Sequence, residues 1–286
     1  MKTTELKEKL TNRIIEKMEQ GIIPWSKEWG GVINGAYSRT TKKPYSLINQ
    51  MLLGEEGEYL TFNEIKKLGG NVKKGAKARE VVFYKPYLIA EEKTNEVTGE
   101  VEKTEKLIPL LKSYYVFHIN DTTGIEPLSF KKNDFNPIEE AEKISSNYLS
   151  RENIKLNLLV QNNAYYSPRN DEITLPIKEQ FKSSEAYYST LFHEMTHSTG
   201  HESRLNRFEN KISFFGSEDY SKEELVAELG SSLAMAYLGI ETKRTFNNSV
   251  AYLQSWIRAL KNDVNLIFTA SAKAEKAFNY ILGAEA

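Results

Sequence analysis

No cysteine occurs in the 286 residues of this chain. Disulfide bridges and thiolate metal ligands are therefore excluded, and any metal site must be built from histidine and carboxylate. Long hydrophobic runs are also missing: no stretch approaches the ~20 apolar residues of a membrane span. The opening Met1-Lys2-Thr3-Thr4-Glu5 leads into an amphipathic segment instead of a secretory apolar core. These absences predict a cytoplasmic chain with no membrane partner. The formal net charge is only −1, so attraction to a polyanion has to come from a local patch. No internal repeat is visible. Histidine is scarce too, with four in the chain, yet His193, His197 and His201 fall within nine residues.

That cluster contains His193-Glu194-Met195-Thr196-His197. On an α-helix, residues at i and i+4 leave the same face about one turn apart, so both imidazoles can share one tetrahedral metal. Glu194 then projects beside the metal, where it can take a proton from a water whose pKa the metal lowers to about 7. The flanks favour a helix: Ser183-Ser184 is a capping pair, the run through Tyr187, Tyr188, Leu191 and Phe192 is suitably apolar, and Gly200 is a natural stop.

A catalytic zinc needs a third protein ligand. In a metzincin spacing the third histidine would stand at position 203, which is Ser203, so His201 does not complete that pattern. The acidic stretch Ser221-Lys222-Glu223-Glu224-Leu225-Val226-Ala227-Glu228-Leu229-Gly230 does offer a partner. Glu224 and Glu228 stand one helical turn apart; one can ligate the metal while the other hydrogen-bonds the second nitrogen of a ligand histidine. By analogy with gluzincins, whose ligand glutamate comes first, Glu224 is the ligand and Glu228 the orienting acid or alternative ligand. Tyr220, one turn before Glu224, is a candidate to stabilise an oxyanion, and Arg204 and Arg207 are candidates to grip a substrate carbonyl or carboxylate. The plainer reading makes these arginines caps or ion-pair partners after a helix end.

The run from Leu191 to Arg207, with Glu223-Glu224-Leu225-Val226-Ala227-Glu228-Leu229-Gly230, resembles the zincin-like domain of ArdC-type antirestriction proteins. Ile173-Thr174-Leu175-Pro176 is similar to the strand before that family's metal helix. Tyr252 to Ile257 and Ile267 to Ala274 are similar to its closing helices. The same domain occurs in plasmid primase-type and phage polyvalent proteins, so the resemblance implies a mobile element in a bacterial host.

The N-terminal half reads as a small α+β domain. Leu6, Leu10, Ile14, Ile15 and Met18 have helical spacing from Thr4 to Gln20; Pro24-Trp25 and Trp29-Gly30-Gly31 form a turn-rich aromatic segment. Further helices are expected at Tyr45 to Leu53 and Thr61 to Leu68. Val81 to Tyr87 and Tyr114 to Ile119 have strand composition, separated by a charged loop or hairpin from Glu91 to Lys106. Between Arg39 and Lys85 ten Lys/Arg stand against five Asp/Glu, interleaved with tyrosine and phenylalanine. Cations that track phosphates beside rings that stack bases suit single-stranded nucleic acid, although a solvated turn beside core aromatics has the same composition. Pro24-Trp25, Pro44 to Asn49, Leu60-Thr61-Phe62 and Gly69 to Gly75 resemble the single-stranded-DNA-binding N-terminal domain of ArdC. The candidate DNA contacts are Trp25, Arg39, Lys42, Lys43, Tyr45, Lys73, Lys74, Lys77 and Arg79.

The length suits two domains with two cores. A joint rich in Gly and Pro between Asp121 and Pro137 places them at residues 1–125 and 138–286, with 126–137 as linker. The expected fold is α+β: a DNA-binding N-terminal domain, then a mainly helical, gluzincin-type zincin-like domain with a short sheet. The resemblance implies Zn²⁺, with Mn²⁺ or Ni²⁺ able to use the same ligands. It implies single-stranded DNA as partner, a host restriction enzyme or other protein as substrate, and protection of incoming DNA from restriction. A non-enzymatic DNA-binding protector and a primase or nuclease accessory are the rival classes; a nuclease more often gathers carboxylates around Mg²⁺.

Overall fold

The structure, a computed structural model, describes residues 3–25, 35–94, 101–128, 136–208, 218–240 and 246–284. Trp29-Gly30-Gly31, the 95–100 tip of the charged hairpin and most of the expected linker lie outside the described residues.

Helix α1 (Thr3–Glu19) buries Leu6, Leu10, Ile14, Ile15 and Met18 along one stripe, the spacing that its sequence predicts. Strand β1 (Ala36–Ser38), helix α2 (Leu47–Leu53), strand β2 (Gly57–Leu60) and helix α3 (Phe62–Lys67) follow. Helix α3 starts in a capping box, where the Thr61 side chain and Glu64 satisfy each other's backbone donors. Strands β3 (Asn71–Val72), β4 (Arg79–Thr94), β5 (Val101–His118) and β6 (Thr122–Thr123) complete this half. The β4–β5 pair is an antiparallel hairpin much longer than the two short strands that composition suggested, because pairing runs unbroken from Arg79↔Val116 to Thr94↔Val101. It continues a four-stranded sheet of order β1-β2-β5-β4.

The second half opens with helix α4 (Pro137–Arg151), capped by Asn136 and carrying proline in its first turn. Strands β7 (Lys155–Leu159), β8 (Tyr165–Ser167) and β9 (Glu172–Pro176) form a three-stranded sheet with β9 in the middle, parallel to β7 and antiparallel to β8. Helices α5 (Ser184–Ser198), α6 (Glu218–Leu238), α7 (Phe246–Asn262) and α8 (Leu266–Leu282) follow. The fold is α+β as expected, with helices predominating in the second half. No helix among the described residues is long and apolar enough to cross a membrane.

The core is not divided as the sequence division implied. The largest apolar cluster joins α1, Trp25 and α2 to Leu225, Val226 and Leu229 of α6, Trp256 of α7 and Ile267 of α8. Trp25 meets Trp256 edge to face, with ring centroids 5.7 Å apart. Polar ties cross the same boundary: buried Thr11 donates to the Val264 carbonyl at 2.9 Å, and Lys261 pairs with Glu19 at 2.6 Å. A second cluster packs α4, β8 and β9 against α5 and against Ala234, Met235 and Leu238 of α6. Helix α6 therefore carries one face in each core, while a third, acidic face meets α5.

Candidate metal centre and basic surface

Helix α5 begins where its sequence places it, with the Ser183 side chain accepting from the Ala186 N–H. Its end has a different cause from the expected glycine stop. Gly200 does not adopt the left-handed conformation; a Cβ there would lie 2.7 Å from the Phe208 ring, so glycine admits that ring. The last carbonyls are capped by arginine. Arg204 donates to the Ser198 carbonyl at 2.7 Å and forks onto Asp171 and the Tyr166 hydroxyl in the β8–β9 hairpin. Arg207 donates to the Thr196 carbonyl at 2.7 Å, to Thr199 Oγ1 at 2.6 Å and to both oxygens of Glu223. Both guanidiniums are almost fully buried, which overturns the expectation that they grip substrate. Each spends four of its five N–H donors on protein acceptors.

Opposite α5 lies α6, brought close by a glycine. A Cβ on Gly230 would stand 2.6 Å from both Thr196 Cγ2 and Thr196 Oγ1. At the next residue, Ser231 Oγ donates to the Ser189 carbonyl at 2.8 Å, a second tie between the two helices. This approach carries the acids of α6 onto the histidines of α5.

The Glu224 carboxylate faces both Nε2 atoms, at 3.5 Å from His193 and 3.3 Å from His197. One donor atom from each of the three side chains falls within 4.8 Å of the others, a mixed nitrogen and oxygen set that suits a divalent cation. Each Nδ1 faces an acid of its own: Glu228 lies 3.8 Å from His193, and Glu223 lies 3.5 Å from His197. The geometry thus favours Glu224 as ligand and Glu228 as orienting acid. Glu223 was missed in the sequence, where its position beside Lys222 reads as solvated surface. The signal that could have found it is its helical position beside Glu224 together with Arg207 in the segment after the metal helix.

Electrostatics match the geometry. Burial works against charge on His197, but the hydrogen bonds it donates to Glu223 and Glu224 outweigh it and raise its pKa to about 10. For His193, burial is likewise outweighed by Glu224, and its pKa is also raised. Burial would lift the Glu224 carboxyl, but the two histidines hold it well below the usual carboxylate range. A cluster this strongly biased towards positive imidazoles and negative carboxylates is one in which a cation can replace the protons. Glu194 is buried beside His193, and its charge reaches both imidazoles. Tyr220 sits half-buried one turn before Glu224, while His201 turns to Ser203 at 2.8 Å, outside the cluster.

With this geometry in view, the comparisons are specific. A model for the N-terminal domain of the anti-restriction factor ArdC matches residues 4–117, and a zincin-like metallopeptidase model matches residues 141–273. The crystal structure of antirestriction ArdC from the R388 plasmid, metal-free, is 33% identical with a TM-score of 0.74 and covers 98% of this chain and 99% of that one. The chain belongs to the ArdC antirestriction family. The Mn(II)-bound structure of R388 ArdC gives the same TM-score at 32% identity, covering 97% of each chain. A DNA primase TraC of Escherichia coli is 34% identical over 97% of this ArdC-family chain, which spans only 27% of that primase's length. The zincin-like domain implies a divalent metal.

The expected DNA contacts divide sharply. Trp25 is 4% exposed and walled in by Trp256, so its faces are closed to a base. Arg39 is held by Glu58 and the Glu126 carbonyl; Arg79 is held by Glu55 and the Tyr59 hydroxyl, with its guanidinium over the Tyr59 ring. Tyr45 lies half-buried edge-on to Tyr59, and burial, with a hydrogen bond to Tyr114, pushes its hydroxyl pKa up. Trp25 is thus closed off, while Arg39, Tyr45 and Arg79 remain half-buried with their polar groups engaged inside the domain. Lys42, Lys43, Lys73, Lys74 and Lys77 are exposed, Lys73 with its ammonium on the Asn120 carbonyl at 2.8 Å.

Proposed function

We propose that this ArdC-family protein binds single-stranded DNA through its N-terminal domain and cleaves a host protein at the α5–α6 centre, so that incoming plasmid or phage DNA escapes restriction. The observation that carries the peptidase reading is the Glu224 carboxylate set between two histidine Nε2 atoms, each histidine being backed by a separate acid. His193, His197 and Glu224 would hold the cation, Zn²⁺ by preference and Mn²⁺ or Ni²⁺ with the same donors. When bound, it supplies Lewis acidity to a scissile carbonyl and acidifies a water.

The chain's own residues do the rest. Glu194 accepts the proton of the attacking water on its carboxylate and returns it to the departing amine nitrogen. Glu223 and Glu228 fix the histidine tautomers by accepting from Nδ1, which leaves each Nε2 lone pair for the cation. Tyr220, one turn before Glu224, is the candidate donor to the developing oxyanion. The N-terminal domain holds the entering strand and thereby brings this centre to proteins that act on it, a restriction enzyme among them.

A restriction challenge of transferred DNA tests this, with metal content measured on each purified protein. Glu194→Gln should keep its metal and lose protection. Lys73, Lys74 and Lys77 changed together to alanine should weaken DNA binding and protection with an intact metal site. Full protection by Glu194→Gln would overturn the peptidase reading and leave a DNA-binding shield.

A further inference from the structure

A groove of about 730 Å³ opens between α1 and the 75–80 segment, and it shares no residue with the metal centre. Its walls carry Lys9, Arg13 and Lys17 from α1, Lys77 and Arg79 from the segment opposite, and Tyr115 from β5. The three α1 cations stand at i, i+4 and i+8, so they form one row with a step of about 6 Å, comparable to the spacing of neighbouring phosphates on an extended strand. Five cations in the lining meet two carboxylates, Glu80 and Asp121. Arg79 is neutralised from outside by Glu55, and Glu80 is shared by Lys9 at 2.6 Å and Arg13 at 3.8 Å. The remaining lining charge is therefore four against two, a local excess of +2 in a chain whose net charge is −1.

Like charges at helical spacing repel and weaken a helix. Burial and then the neighbouring Arg13 lower the Lys17 pKa, and its ammonium lies 3.3 Å from the Met51 carbonyl, with no carboxylate paired to it among the described residues. Beside it Tyr115 is 54% exposed, on the face of the hairpin that also bears its cross-strand neighbour Glu80. A row of cations with an open aromatic ring is the combination used by grooves that track a single strand, where phosphates meet cations and an unstacked base meets the ring.

We propose that this groove is the strand-binding channel, with Arg13, Lys17 and Lys77 on successive phosphates and Tyr115 stacked on a base. The assignment rests on the DNA-binding reading above. It moves the principal contacts from the sequence-derived set to α1, which that set omits, and it leaves Lys42 and Lys43 outside.

Fluorescence anisotropy of a labelled oligothymidylate with the full chain, over a series of salt concentrations, tests it. Each lost phosphate contact lowers the slope of log K against log salt by about 0.7. Arg13→Ala with Lys17→Ala should therefore reduce the slope by about 1.4, and Lys77→Ala, on an exposed residue that leaves α1 untouched, by about 0.7. Tyr115→Ala should weaken binding on the order of tenfold, Tyr115→Phe should bind as wild type, and Lys42→Ala with Lys43→Ala should keep the wild-type slope. If wild type binds while Lys77→Ala and Tyr115→Ala match it, the channel assignment is wrong and the DNA-binding reading survives. If wild type does not bind the oligonucleotide, that reading falls and the channel with it. Equal affinity for a duplex would also overturn the stacking role of Tyr115.

Discussion

Gly230→Ala examines the feature on which the metal centre depends, the approach of α6 to α5. A Cβ at Gly230 would stand 2.6 Å from the Thr196 side chain, against an ordinary carbon contact of roughly 3.5–4.0 Å. The helices would have to part by about 1 Å, or Thr196 would have to leave its rotamer. Overpacking of this kind costs about 1–3 kcal/mol, and each kcal/mol lowers Tm by roughly 2–4 °C in a chain approaching this size. The displacement also draws Glu224 and Glu228 away from the histidines, so metal affinity should fall by about tenfold or more, as it does when supporting contacts are lost. Thr196→Ala removes the two atoms at 2.6 Å and keeps the Cβ at 3.1 Å, and the hydroxyl it deletes donates to the Phe192 carbonyl within the same helix at 2.7 Å. A double-mutant cycle, read by thermal melting and by calorimetric titration with Zn²⁺ or Mn²⁺, should then show a favourable coupling of about 1 kcal/mol or more. Wild-type Tm and metal affinity in Gly230→Ala, or strict additivity in the cycle, would refute the account of how these helices meet.

Glu223→Gln and Glu228→Gln should each weaken metal binding by about 10–100-fold with all three ligands in place, whereas Glu224→Gln should weaken it further; calorimetric titration ranks them. Burial would raise the Asp171 carboxyl, but hydrogen bonds from Arg204 and Tyr166 outweigh it and hold it below the ordinary value. Its stabilising contribution is therefore complete above an unfolded pKa of about 3.9 and is lost as pH falls through the folded value. Melting curves from about pH 6 down to about pH 2 should be flatter on the acid side for Asp171→Asn than for wild type. Trp25→Ala should destabilise by about 3–5 kcal/mol through loss of core packing, seen as a lower denaturation midpoint, while the folded fraction keeps its affinity for oligothymidylate.

The helix of His193 and His197 was legible because its signals are local: a capping serine before it, apolar residues at helical spacing, and two ligands one turn apart. Glu224 and Glu228 could be read for the same reason, as their spacing alone puts them on one face. The stripe of α1 and the capped start of α3 follow the same rule. Local signals failed where a partner is remote. Trp25 reads as an aromatic platform until Trp256 closes over it, 231 positions later in the chain. Arg39 and Arg79 belong to a basic run in the sequence, but folding delivers Glu58 and Glu55 to them. Arg207 and Glu223, both ambiguous in isolation, become one buried ion pair supporting His197.

By itself the sequence determined the chemistry on offer: a dihistidine helix with its glutamate, an acidic helix to face it, no thiolate and no membrane span. Only the tertiary structure decided which charges are open to a partner and which are internal. Helical spacing is set by the covalent backbone and can be counted along the chain. Charge pairing and burial depend on which distant side chains arrive within a few ångströms, as when α6 meets α5 across Gly230 and α1 meets the 75–80 segment.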